Sequence, residues 1–237
     1  SGAAIHYNGT YSADYENNGY SSKYSYYQRP CWLGIRRAWL FIENVDRVPN
    51  MKEAEKQRLK AEAKVIIAMH YCDLFRHYGG VPIVDHAYTA NEDMQKERGT
   101  VQETLDFIVN LLDEAADVLP WAMSAAENRE WEGRLTKASA MGLKARILLF
   151  AASPLFNGNE DFRDVVNKDG TPLFSQSKDN SKWERAAKAA KLVIDMPEYD
   201  LYKEYLDDGS IDALMSCINL FLTTPTNNKE IILAYPG

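Results

Sequence analysis

The sequence predicts an all-α fold of paired helices joined by long irregular loops, and three observations predict it. Apolar residues recur at spacings of three and four along five separate stretches, which places each set on one helix face. Three of the helix starts carry a polar residue followed three places later by Glu, the pattern of a capping box: Asn50/Glu53, Thr100/Glu103 and Ser181/Glu184. Pro49, Gly79-Gly80, Pro120, Pro154 and Pro197 then stand where the stripes end.

The first helix is expected from about Gln28 to Val48, with Trp32, Ile35, Trp39, Ile42 and Val45 on its buried face. The second opens at Asn50 and carries Leu59, Ala63, Ile66, Ile67, His70, Leu74 and Phe75 inward as far as Gly79-Gly80, after which Val81-Pro82-Ile83-Val84 leaves in an extended conformation. The third opens at Thr100 and buries Leu105, Ile108, Leu112, Ala115 and Leu119. The fourth runs from Thr136 to about Ala152, with small residues on more than one side (Ala138, Ala140, Gly142, Ala145, Ala151), so neighbours should approach it from several directions. A loop from Ser153 to Asn180 follows, long enough that it should be anchored or functional. The fifth helix is expected to bury Trp183, Ala187, Ala190 and Ile194. A short helix over 213–222 and an extended piece over 230–234 complete the reading.

With 237 residues, 46% of them hydrophobic and 26% charged, the chain can bury a core of its own. Its net charge of -7 argues against nucleic acid, which requires clustered Lys and Arg to displace counterions. The cysteines, Cys31, Cys72 and Cys217, are too widely spaced for a zinc site, and Cys31 and Cys72 read as small buried hydrophobes. No dinucleotide fingerprint, phosphate loop or nucleophile elbow is present, so no cofactor is expected. No apolar run reaches the length of a membrane span, and Ser1-Gly2-Ala3-Ala4 has no signal-peptide pattern.

Aromatic residues are the candidate ligand contacts. Half of the 14 tyrosines crowd the first 27 residues, among Asn, Ser and Gly and with few aliphatic companions, so residues 1–27 read as a Tyr-rich loop segment and 28–237 as the helical region. A tyrosine or tryptophan ring offers a flat apolar face for stacking on a sugar and a polar handle beside it. By position the candidates are Tyr20, Tyr24, Tyr26, Tyr27 and Trp32, followed by Trp121 and Trp131 in the loop between the third and fourth helices. Trp39 and Trp183 read as core. His70 and His77, seven apart, lack the spacing of a metal pair, and Asp113, Glu114 and Asp117 read as a solvated helix face rather than catalytic carboxylates.

Trp183 with Ala187 and Ala190 resembles the first helix of a tetratricopeptide repeat, without the full repeat consensus or period. Longer strings resemble the SusD/RagB family: Ile35-Arg36-Arg37-Ala38 with Phe41 to Val45, Leu59 to Ala63 leading into Leu74-Phe75-Arg76-His77-Tyr78-Gly79-Gly80-Val81-Pro82-Ile83, Arg134 to Ala140, Ala151-Ala152-Ser153-Pro154-Leu155-Phe156-Asn157-Gly158, Trp183 to Ala187, and Asn228 to Ile232. The resemblance implies a SusD-like fold of tetratricopeptide-like helix pairs. It also implies a non-catalytic lipoprotein at the cell surface, held in the outer membrane by a lipid anchor, that captures oligosaccharides or similar nutrients and passes them to a SusC-like TonB-dependent transporter. Family members are about twice this long, so the chain is expected to be a fragment lacking the lipidated N-terminus and the C-terminal half. Two alternatives stand beside this one: a tetratricopeptide-type scaffold that binds protein partners, and a helical glycosidase, for which no carboxylate pair nominates itself.

Overall fold

The structure, a computed structural model, describes residues 8–9, 30–122, 133–223 and 228–233. The described residues form six α-helices: α1 (Pro30–Asn44), α2 (Glu53–Tyr78), α3 (Val101–Ala116), α4 (Lys137–Ala152), α5 (Ser181–Ile194) and α6 (Ala213–Leu220). A single 3-10 turn, Val45–Arg47, continues α1, and the only sheet among the described residues is a two-residue hairpin, β1 (Glu204–Tyr205) with β2 (Ile211–Asp212), which the sequence reading did not anticipate.

The helices stack in chain order. α1 lies on α2, α2 on α3, α3 on α4 and α4 on α5, while α2 and α4 touch only lightly. This is the all-α, tetratricopeptide-like arrangement the periodicity predicts. The core is built from Ile35 of α1, Ile67, Tyr71, Leu74 and Phe75 of α2, and Ile108 and Leu112 of α3, all almost wholly removed from water. Burying each such side chain stabilises the fold by roughly 1.5–3 kcal/mol. All five residues of the third predicted stripe are buried, four of them in α3 and Leu119 just beyond its end. In α4, Ala138, Ala140, Met141, Leu148 and Ala151 are buried although they do not share one face, because α3 and α5 flank this helix on different sides.

Two of the three predicted capping boxes are corrected. The Thr100/Glu103 capping box forms, with the Thr100 hydroxyl accepting from the Glu103 N–H at 3.1 Å and the Glu103 carboxylate accepting from the Thr100 N–H at 2.7 Å. The Asn50/Glu53 box does not: Asn50 turns at φ 64°, and extended Lys52 precedes α2 without a side-chain cap. At α5 the N-cap is Asn180, which makes no side-chain cap; the Asp179 carboxylate accepts from the Ser181 N–H at 2.9 Å instead. At α4 the partner of Thr136 is Ser139, whose hydroxyl accepts from the Thr136 N–H at 2.8 Å.

The buried face of α5 is Ala186, Ala189 and Val193, one position away from the predicted stripe, and it leaves Trp183 41% and Ile194 76% exposed. Alanines at 186, 187, 189 and 190 make two helical stripes equally apolar in sequence, and the helix packs the one that lets it approach α4 closely. The piece at 230–233 is a turn rather than a strand, with Ile232 packed beside Met141 and Val193.

The loop after α4 is anchored along its length. Val101 donates to the Leu173 carbonyl at 2.9 Å, Asn167 donates to the Arg98 carbonyl at 2.8 Å, and Phe156, Phe162 and Phe174 stack in series against Phe75 and Phe150. Asn157, 3% exposed, closes the loop's two ends. Its amide donates to the Asp179 carbonyl at 2.8 Å, and its carbonyl accepts from the Asp179 N–H at 2.9 Å. Gly158 has φ 75°, and a side chain there would press on the backbone of Ser177 and Lys178.

Candidate functional site

Of the predicted ligand contacts, Tyr20, Tyr24, Tyr26, Tyr27 and Trp131 lie outside the described residues. Trp32 stands on the first turn of α1, half-buried against the main core, with its ring edge-on to Tyr71 at 6.1 Å. Trp121 is half-buried in a separate small cluster with Ala116, Met141 and Val193. The Lys137 ammonium lies 5.2 Å from the centre of the Trp121 ring, and the Trp121 carbonyl accepts from the Tyr199 hydroxyl at 3.1 Å. Trp32 and Trp121 therefore pack on different clusters, and the structure does not bring them into one site.

α1 supports a second aromatic and polar surface. Three of its residues at spacings of three and four hold the segment that leaves Gly79-Gly80. The Arg36 guanidinium donates to the Tyr88 carbonyl at 2.5 Å, the Trp39 indole N–H donates to the Val84 carbonyl at 2.9 Å, and the Glu43 carboxylate accepts from the Ala87 N–H at 2.8 Å. From the other side Tyr71, buried in α2, donates its hydroxyl proton to the Pro82 carbonyl at 3.1 Å and accepts from the Val84 N–H at 2.7 Å. Burial pushes the Tyr71 phenol far above its ordinary value, so it remains a neutral donor. Gly79, at φ 72°, ends α2, and Gly80 leaves no room for a Cβ beside the Gly99 carbonyl. The motif string from Leu74 to Ile83 is thus a helix stop followed by a segment clamped on both sides.

That clamping presents Asp85, His86, Tyr88, Glu92 and Lys96 together. The His86 ring lies 2.8 Å from the Asp85 carboxylate through Nδ1 and 3.2 Å from the Glu92 carboxylate through Nε2. It meets the Tyr88 ring edge-on at 4.6 Å, and the Lys96 ammonium lies 5.0 Å from the centre of that ring. Hydrogen bonds to Asp85 and then Glu92 raise the His86 pKa. The His86 bond lowers that of Asp85, while Glu92 is lowered first by the Thr89 N–H and then by His86. A ring with cationic and anionic groups around it has the chemistry to hold a polyhydroxylated ligand. The sequence reading missed this surface; its only signal was the density of aromatic and charged residues from Asp85 to Lys96.

Other candidates resolve into packing. His70 lies against Gly34, where α1 approaches α2. His77 is exposed, with Nδ1 2.7 Å from the Asp73 carbonyl. Two of the three carboxylates expected on a solvated face join neighbouring helices: Asp113 pairs with Lys144 at 2.6 Å and Glu114 with Lys64 at 2.7 Å. Among the described residues no group of three or more His, Cys, Asp or Glu side chains is placed to hold a metal ion, and no helix is long and apolar enough to cross a membrane. A cavity of about 610 Å³ opens between α2 and α4, and neither Trp32 nor Trp121 lines it.

The family described as SusD-like_3, "Starch-binding associating with outer membrane", matches residues 3–149. SusD-like protein P38 of Formosa agariphila is 31% identical over 117 residues, which are 49% of this chain and 21% of P38. Among solved structures, BT4246 superimposes with a TM-score of 0.77 at 26% identity, over 94% of this chain and 44% of its own. A laminarin binding SusD-like protein shares the fold at a TM-score of 0.60 and 20% identity, over 92% of this chain and 41% of its own. The chain spans less than half the length of these relatives.

Proposed function

Because this chain belongs to the SusD-like family, we propose that it is the glycan-binding part of a surface lipoprotein of the outer membrane, which captures oligosaccharides without cleaving them and passes them to a SusC-like TonB-dependent transporter. The observation that carries this reading is the family match across residues 3–149, in a chain whose fold follows that of BT4246 over 94% of its length. The laminarin binding neighbour makes β-glucan a reasonable first probe beside starch.

Two sets of aromatic residues are proposed as ligand contacts. The first is Tyr20, Tyr24, Tyr26 and Tyr27, which precede α1 in sequence, together with Trp32, a half-buried ring on its first turn. Trp121 and Trp131 are second choices. The second set is the Tyr88 surface, which α1 also supports. Its exposed charges and half-buried ring suit sugar hydroxyls and sugar faces better than they suit an apolar ligand.

The test is calorimetric titration of the protein with laminarin and starch oligosaccharides, followed by a glycan array, with reaction products checked by chromatography. Saturable binding with intact glycan supports the proposal. Binding to no glycan on the array overturns the ligand class, and shortened products overturn the non-catalytic reading. Recovery of a TonB-dependent transporter with the protein from native membranes tests the delivery step, and its absence there counts against that step alone.

A further inference from the structure

We propose that the groove between α2 and α4 binds an amphipathic anion, an aliphatic chain ending in a carboxylate, with the chain along the apolar walls and the carboxylate on Arg146. This goes beyond the glycan reading and stands on different residues. Two helix faces form the walls: Ile66 and Met69 on α2, and Leu143, Ile147 and Phe150 on α4, with Leu233 at one edge. The residues on each helix recur at spacings of three and four, so each wall is one continuous stripe, and α2 and α4 diverge enough to leave about 610 Å³ between them. That volume lies within the roughly 300–1,000 Å³ of small-molecule sites.

The walls are wrong for a sugar. Among the described lining residues only His70, Asp73, Arg76 and Arg146 carry hydrogen-bonding side chains other than thiols, and none an amide or hydroxyl, whereas a glycan needs hydrogen bonds along its whole length. The Cys72 thiol that faces the groove is pushed up to about 12 by burial, so it remains neutral and adds to the apolar wall. Met69, 37% exposed, is an unbranched and adaptable side chain suited to an irregular aliphatic ligand.

Charge selects the head group. Two guanidinium groups, Arg76 and Arg146, line the groove, and Asp73 is the one carboxylate among the described lining residues. Asp73 pairs with Arg76 at 3.9 Å, and Arg76 lies 5.7 Å from the centre of the Phe150 ring. Arg146 has no hydrogen bond or ion pair among the described residues. The groove is therefore locally positive on a chain of net charge -7, and among its apolar lining it carries a guanidinium with its donors open.

Calorimetric titration of the full chain with dodecanoate, below the concentration at which it forms micelles, tests the proposal. The expected result is saturable one-site binding that Arg146→Gln weakens roughly tenfold or more, the scale of one hydrogen bond to a charged group. Arg146→Lys should recover part of the loss, and Met69→Glu should weaken binding through like-charge repulsion. Both side chains are exposed, so the variants should keep the parent's unfolding midpoint by circular dichroism. No saturable binding, equal affinity in the parent and Arg146→Gln, or equal affinity for an uncharged dodecyl glucoside would each overturn it. Glycan binding that survives Arg146→Gln keeps the two proposals separable.

Discussion

Arg134 reaches back 72 residues to Glu62. Its Nε and Nη2 lie 2.7 Å and 2.6 Å from one carboxylate oxygen, and the Glu62 side chain is only 8% exposed. The pair fastens the segment entering α4 to the middle of α2, two helices that otherwise touch lightly. Arg58, one turn earlier on α2, stands 3.8 Å from the other oxygen.

Removing the arginine should therefore hurt more than neutralising the acid. Arg134→Met leaves a buried carboxylate with only the long Arg58 contact, and it should lower unfolding free energy by about 3 kcal/mol. Glu62→Gln keeps an acceptor, and Arg134, 38% exposed, reaches water, so the loss should be roughly half that. Urea denaturation of both variants checks the order, and equal losses would show that the pair does not carry the effect.

Asn157→Ala should free the loop from 158 to 178 without melting the helices. Two partly buried hydrogen bonds to Asp179 are lost, which predicts a cost of about 2 kcal/mol. Limited proteolysis should then cut within the loop much faster than in the parent. Gly158→Ala should give the same phenotype by a different route, since φ 75° and the approach of the Lys178 backbone both oppose a Cβ.

Tyr71→Phe keeps the ring and removes the hydroxyl that joins Pro82 to Val84. The Val84 N–H and Pro82 carbonyl then lack their shared partner, a loss of about 1–3 kcal/mol. Hydrogen exchange at Val84 should accelerate, while α3, which rests on Leu105, Ile108 and Leu112, should keep its protection.

The His86 bridge should give the loop from 85 to 92 its own pH dependence. The His86 pKa is raised, so its contribution is fully present below the ordinary value of about 6.5 and is lost as pH rises through the folded value. The pKa values of Asp85 and Glu92 are lowered, so their contributions are present above the ordinary carboxylate range and are lost as pH falls through their folded values. Amide exchange at Ala87 and Tyr88, corrected for its intrinsic pH dependence, should be slowest between the carboxylate and the His86 folded values and accelerate as pH rises through the latter. His86→Asn should flatten that profile. With His86 43% exposed, global stability should barely change.

Helices were the legible part of the sequence. Leu105, Ile108, Leu112 and Ala115 of α3, with Leu119 just beyond its end, form one stripe, and that stripe is buried. In α5 the alanines left two stripes apolar, and composition alone could not choose between Ala187 with Ala190 and Ala186 with Ala189. Asn50 satisfied a spacing rule while its backbone turned at φ 64°, a conformation that spacing does not encode. Trp32 fitted both the apolar stripe of the first helix and the Tyr-rich segment before it, and the contact that half-buries it, edge-on to Tyr71, comes from a residue 39 positions away. The Tyr88 surface was hidden because Arg36, Trp39 and Glu43 converge on it from another helix, and no local pattern reports that convergence.

The clasp between Asn157 and Asp179 also has a bearing on how the molecule can change over generations. With both ends of the loop tied at one point, the stretch at its tip around Gly170 can lengthen without moving those ends, and each doubling of loop length adds only about 0.6 kcal/mol of closure entropy. At Gly170, at the tip, a Cβ would meet nothing within 4 Å. Descendants could exchange that tip for new sequence, and with it acquire new surface chemistry, while inheriting the helical frame unaltered.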